Sequence, residues 1–186
     1  MRTLMDARQI EQTVGELVER IVADTTLRPT AASPLALVGI RSRGELLAQR
    51  IGAALAARTG VSGIDVGALD ITMYRDDLDS RRAILIPQGT EMNFRLDGRP
   101  VVLVDDVMET GRTIRAALDA LVDFGRPRLI RLAVLVDRRR HEFPIAADYA
   151  GMTVTDADPA ERVIVHLRPT DAEEQVYLAR HAVEAR

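Results

Sequence analysis

Val101–Leu121 reads VVLVDDVMETGRTIRAALDAL, and its reading decides the architecture. The run Val101–Val104 is too short for a helix and lacks polar alternation, which is the pattern of a strand buried on both faces. Two carboxylates, Asp105 and Asp106, stand at its end. The small polar turn Thr110-Gly111-Arg112-Thr113 then opens an amphipathic helix, expected from about Thr113 to Asp123 and closed by Gly125.

The same strand-then-helix pattern recurs on either side. Leu35–Ile40 (LALVGI) is another continuous apolar run, bounded by Ser33-Pro34 and the polar RSRG, and a helix from about Gly44 to Arg58 follows it. Val66–Met73 and Leu129–Val136 read as further strands, and Arg162–Leu167 as one more near the C-terminus. Alternating strands and helices, joined by connections long enough for right-handed crossovers, predict an α/β fold with a largely parallel central sheet flanked by helices. Ligands then belong at the carboxyl ends of the strands. From Asp6 to Asp24 the residues Ile10, Val14, Leu17, Val18, Ile21 and Val22 recur at helical spacing and predict one buried stripe. The polar stretch from Arg75 to Arg99 is too long for an ordinary connection and reads as a flexible hood loop, with a strand at its centre over Ala83–Pro87.

Composition bounds the function classes. A length of 186 residues with 47% apolar content suits one domain over residues 1–186, with no repeat or interdomain linker. The absence of cysteine excludes disulfides, thiolate metal sites and cysteine nucleophiles, and a cytoplasmic location is expected. Charges interrupt the N-terminal segment, and no run approaches the roughly 20 apolar residues of a membrane span. A net charge of -3 argues against a generally basic surface for nucleic acid, so an RNA site would have to be a local patch.

The chemistry is concentrated in the turn after Val104. Adjacent carboxylates at a strand end can accept hydrogen bonds from a vicinal diol, and Thr110–Thr113 offers backbone N–H groups and hydroxyls at a helix N-terminus, where a phosphate is favoured. A diol and a phosphate on one loop describe a ribose 5-phosphate. Two other phosphate motifs fail: no G-x-G-x-x-G follows a strand, and GIRSRGE lacks the Lys-Ser/Thr of a P-loop. Gly39–Gly44 nevertheless lies at a strand's carboxyl end, and its arginines and turn amides suit a pyrophosphate.

Four blocks in order, VGIRSRG, LDITMYRDDL, VVLVDDVMETGRTIRAALDALVDFGRP and LAVLVDRRRHEFPIAADYAG, resemble the PyrR family of type I phosphoribosyltransferases over most of the chain. The resemblance implies that fold and the conversion of uracil and phosphoribosyl pyrophosphate (PRPP) to UMP and pyrophosphate. It implies that Asp105 and Asp106 hold the ribose diol, Thr110, Gly111, Arg112 and Thr113 the 5-phosphate, and Arg41, Ser42 and Arg43 the pyrophosphate. Asp137 and Arg138 match base-side and pyrophosphate-side positions, and Tyr74, Arg75 and Asp76 open the hood, where Arg81-Arg82 could help neutralise pyrophosphate. Mg²⁺ would arrive on PRPP oxygens with no protein-only metal site, and dimers or tetramers are implied.

The chain departs from the family at several points. Ser42 replaces a threonine, and Glu109 replaces the usual aromatic before Thr-Gly, where a general acid or base could sit. The family's basic RNA-binding patch is diluted: Ala146-Ala147-Asp148-Tyr149 stands for RADY, and Thr155–Glu161 (TDADPAE) is acidic. The run Arg138-Arg139-Arg140-His141 remains as a phosphate patch, an interface or solvated charge. Three readings stay open on sequence: a uracil phosphoribosyltransferase that also regulates pyrimidine genes through pyr leader RNA, a nucleotide-sensing RNA-binding attenuator with little turnover, and a purine phosphoribosyltransferase.

Overall fold

The computed structural model describes residues 1–28, 33–60, 64–75 and 89–180. In chain order its elements are β1 (Arg2–Asp6), α1 (Ala7–Ala23), β2 (Ala36–Ile40), α2 (Arg43–Thr59), β3 (Asp65–Leu69), β4 (Pro100–Met108), α3 (Arg112–Leu121), β5 (Leu129–Asp137), β6 (Tyr149–Thr153), β7 (Glu161–His166) and β8 (Gln175–Arg180). Five strands form one parallel sheet in the order β3-β2-β4-β5-β6. β2 and β4, the two strands that lead into the polar turns, lie side by side at its centre.

Helices cover both faces, as the continuous apolar strands require. α1 and α2 pack on one face against Leu37, Val102, Val104, Ala133 and Leu135. α3 packs on the other, burying Ile114, Ala117 and Leu121 against Val38, Leu103 and Val134. The N-terminal stripe forms as expected, with Ile10, Val14, Leu17, Val18 and Ile21 buried. Asp6 and Gln9 exchange side-chain-to-backbone hydrogen bonds at its start, a capping box that fixes where α1 begins.

Three strands escape the sequence reading: β1, β6 and β8. β1 and β7 both pair antiparallel with β8, forming a small second sheet in the order β1-β8-β7. Met5, Val165, Val176 and Leu178 from this sheet join the same apolar cluster as α1, so the two sheets share a core. β6 adds a fifth parallel strand beyond β5.

Two expectations are revised. The strand expected over Val66–Met73 ends at Leu69, because the Asp70 carboxylate accepts from the Thr72 and Gly89 backbone N–H groups and turns the chain into a short 3-10 segment, Thr72–Tyr74. Of the hood expected over 75–99, residues 89–99 pack against the body. Leu96 is fully buried, and Arg99 reaches the Asp65 carboxylate and the Pro34 and Leu35 carbonyls while lying over the Phe94 ring. The strand expected at Ala83–Pro87 lies outside the described residues, as do Asp76, Arg81 and Arg82.

Candidate functional site

A cleft of about 600 Å³ opens at the carboxyl end of β4. That volume lies in the range of small-molecule sites. The cleft is lined by Asp106, Glu109 and the whole turn Thr110–Thr113, by Arg43 from the start of α2, by Arg75, and by Arg162 and Val163 from β7.

The backbone conformation of the turn leaves it able to cradle an anion. Gly111 adopts φ +87°, the left-handed region in which a side chain is strained, and from it α3 starts directly. The first N–H groups of a helix have no carbonyl partner within it, and here that end faces the cleft. One of these donors is locally satisfied, since the Arg112 N–H reaches the Thr110 hydroxyl at 3.3 Å.

The two carboxylates occupy different depths, as alternation along a strand dictates. Asp105 is buried, its Oδ1 accepting from the Asp106 N–H at 2.9 Å, whereas half-buried Asp106 faces the cleft. Burial, reinforced by the negative charge of Asp106, holds the Asp105 carboxyl well above the usual carboxylate range, against the opposing pull of Arg75. Burial raises Asp106 as well, countered by its hydrogen bonds and the charge of Arg43. α2 can begin this close to β4 only because position 44 is glycine: a Cβ there would lie 2.6 Å from the Val104 carbonyl oxygen and 3.1 Å from the Asp105 Cα.

The turn after β2 divides its charges. Arg43 opens onto the cleft, while Arg41 lies aside between Glu45 at 3.2 Å and Glu91 at 2.7 Å. Ser42 occupies the N-cap position of α2, makes no side-chain capping bond and follows a cis Arg41–Ser42 peptide. Tyr74 points elsewhere, donating to Asp123.

Residues 137–143 brace the phosphate turn from behind. The Arg138 N–H donates to the Met108 carbonyl and the Glu142 N–H to the Thr110 carbonyl, both at 2.8 Å. Arg112 pairs with Glu142 at 2.6 Å and lies over the Phe143 ring. Arg138, only 1% exposed, donates to the Glu109 carboxylate and the Glu161 carbonyl, both at 2.7 Å. Its burial depresses its basicity, countered first by Glu109. Asp137 closes its own turn by accepting from the Arg139 N–H and holding His141 Nε2 at 2.8 Å. Neither Asp137 nor Arg138 is among the cleft-lining residues, and Glu109 lines the cleft with its carboxylate held from behind. Arg140 is tied to the Ala157 carbonyl at 2.7 Å, so of the three consecutive arginines only Arg139 is exposed.

Arg162, Val163 and Glu142 were not singled out by the sequence. They reach the site from β7 and from the loop after β5, and no local motif marks residues that meet the turn only through tertiary packing. Among the described residues no group of three acidic, histidine or cysteine side chains could hold a metal ion, and no helix is long and apolar enough to cross a membrane.

With this geometry established, comparison with known proteins is informative. Residues 2–166 match the model of the phosphoribosyl transferase domain. The chain is 49% identical over 161 residues to the bifunctional protein PyrR of Chloroflexus aurantiacus, covering 87% of each chain. It is 42% identical over 181 residues to the PyrR of Corynebacterium efficiens, covering 97% of this chain and 93% of that one. Among solved structures, the hypoxanthine phosphoribosyltransferase of Trypanosoma cruzi superposes with a TM-score of 0.71 at 20% identity, covering 97% of each chain. At that identity the likeness concerns the fold alone.

Proposed function

Because this chain belongs to the phosphoribosyl transferase domain family, we propose that it is a PyrR-like uracil phosphoribosyltransferase, joining uracil to PRPP to give UMP and pyrophosphate. The observation that carries the reading is the juxtaposition, in one cleft, of the left-handed Gly111 turn at the head of α3 with Asp106 near the carboxyl end of β4, backed by the buried Asp105.

In this reading the 5-phosphate sits on the amides and hydroxyls of Thr110–Thr113, and Asp106, backed by Asp105, accepts from the ribose hydroxyls. The uracil N1 forms a bond to the anomeric carbon as the bond from that carbon to the pyrophosphate oxygen breaks, and the N1 proton passes to solvent. The transition state has oxocarbenium character, so positive charge is needed at the departing pyrophosphate. Of the four arginines that line the cleft among the described residues, Arg43 and Arg75 would supply it in this reading. Mg²⁺, which prefers oxygen ligands, would arrive on PRPP and neutralise phosphate charge there, and Asp106 would offer it a cleft carboxylate. Glu109 is anchored by Arg138 and serves to fix the turn, so Glu109→Gln is expected to keep turnover within about threefold.

The test is UMP formation from uracil and labelled PRPP, run beside hypoxanthine. Conversion of uracil is expected; conversion of hypoxanthine alone, or of neither base, would overturn the assignment. The relatives are described as bifunctional, and gene regulation through pyr leader RNA, which the sequence resemblance implies, is the second activity of this reading. Here it would have to use a surface other than the Arg138–Arg140 run, two of whose guanidinium groups are spent on internal ties.

A further inference from the structure

The connection between β7 and β8 grips α2 at two points, through two carboxylates that the assigned chemistry does not use. Arg43 donates from Nε and Nη2 to the two oxygens of Asp171, at 3.2 and 2.9 Å. Two turns further along α2, Arg50 donates to both oxygens of Glu174 and, at 3.0 Å, to the Arg168 carbonyl. Both carboxylates are themselves fixed: Asp171 accepts from the Leu167 N–H at 2.8 Å and Glu174 from the Arg168 N–H at 3.2 Å. Burial would raise the Asp171 carboxyl, yet the bonds from Arg43 and Leu167 outweigh it and hold the group below the usual range. The side chains are sheltered, Asp171 at 15% and Arg43 at 30% exposure, so water screens this pair less than a surface pair.

The two clamps differ in one respect. Arg50 is not among the residues lining the cleft, whereas Arg43 is. Asp171 occupies only the Nε–Nη2 edge of the Arg43 fork, and among the described residues Nη1 makes no hydrogen bond. A guanidinium is planar, so fixing one edge fixes the direction of the remaining donor.

Given the phosphoribosyltransferase reading, we propose that Asp171 is the positioning residue for Arg43: by holding one edge of the guanidinium it presents Nη1 to the pyrophosphate of PRPP. The β7–β8 connection is thereby part of the pyrophosphate subsite, although none of its residues lines the cleft. Glu174 and Arg50 carry the mechanical half of the same attachment.

Steady-state kinetics of the full chain test this. Asp171→Asn is expected to raise KM for PRPP about tenfold and to weaken product inhibition by pyrophosphate in parallel, with kcat and KM for uracil within about twofold. Asp171→Glu keeps the charge and is expected to recover most of the loss. In an Arg43→Met background, Asp171→Asn should add nothing, because the residue it orients is gone. Arg43→Lys retains charge without a fork and should raise KM for PRPP nearly as far as Arg43→Met, an arm that stands even if Asp171→Asn does not fold. Glu174→Gln should lower the melting temperature and leave KM for PRPP in place. An unchanged KM for PRPP in folded Asp171→Asn, additive effects of the Arg43 and Asp171 changes, or wild-type kinetics in Arg43→Lys would each overturn the inference alone. A wild-type chain that neither consumes nor binds PRPP would instead overturn the functional assignment, and this inference with it.

Discussion

Replacing Gly44 by alanine tests the link between the fold and the site at its narrowest point. The added methyl would stand 2.6 Å from the Val104 carbonyl oxygen, 3.1 Å from the Asp105 Cα and 3.4 Å from an Asp105 carboxylate oxygen. Two of these neighbours are backbone in the central strand, so relief requires α2 to move away from β4. Overpacking of this kind costs roughly 1–3 kcal/mol, whereas the helix-propensity gain of alanine over glycine is at most about 1 kcal/mol and smaller in a first turn. The clash therefore wins, with a net loss of about 1–2 kcal/mol. For a chain of this size that corresponds to a melting temperature lower by roughly 2–8 °C. The retreat of α2 also shifts Arg43 and Asp105, so KM for PRPP should rise by about tenfold or more. Thermal unfolding with and without PRPP, together with initial rates, measures both effects. Gly60→Ala is the control: its φ of +67° makes alanine strained, but nothing lies within 4 Å of the new methyl, so stability should fall while KM for PRPP stays. A Gly44→Ala protein as stable as wild type would refute the claim that helix and strand are in contact at this position.

Gly111→Ala tests conformation without crowding, since the nearest atom to a Cβ is 3.7 Å away while φ is +87°; a stability loss of roughly 1–2 kcal/mol and weaker PRPP binding are expected by denaturation and calorimetry. Asp105→Asn should raise the melting temperature of the ligand-free protein at pH 7 while abolishing PRPP binding. A carboxyl whose folded-state pKa is raised stabilises the fold fully below its unfolded value near 3.8 and loses that contribution as pH climbs through the raised value, so the advantage of Asn should shrink on acidification. The opposite sign applies at Asp24, which hydrogen bonds to Thr26 and Tyr149 depress to about 2. Its contribution is present above about 4 and is lost as pH falls to about 2. Tyr149→Phe, removing a 2.6 Å bond to Asp24, should cost about 1–2 kcal/mol at neutral pH and flatten the acid limb of a melting-temperature profile.

The parallel sheet was legible because its strands are buried on both faces and therefore read as unbroken apolar runs: LALVGI and VVLV admit few other conformations. The candidate turn was legible because the residues that mark it are contiguous, from Asp105 to Thr113. What escaped depends on partners distant in sequence. β1 is five residues of mixed polarity, held by pairing with β8 at the far end of the chain. β6, with the pattern YAGMT, has a single buried residue, Tyr149, and forms because β5 offers it an edge. Arg138 looked like part of a solvated or phosphate-binding run, yet it is buried, with Nη1 bonded to Glu109 and the Glu161 carbonyl while Nε and Nη2 find no hydrogen-bond partner among the described residues.

Two of the strands that escaped, β1 and β8, lie in one small sheet, and that bears on how the site is divided. The carboxylates and the phosphate turn belong to the central sheet, whose register is fixed by the parallel pairing of β2, β4 and β5. Arg162 and Val163, which form the opposite wall, belong to the small antiparallel sheet assembled from the two ends of the chain, as does the connection carrying Asp171 and Glu174. A substitution in β4 or α3 should therefore act on the sugar phosphate, whereas one in β7 should act on whatever lies across the cleft from it. The β7 side of the cleft is built from residues no local motif announces, and for that reason the turn after β4 could be read from the chain when Arg162 and Val163 could not.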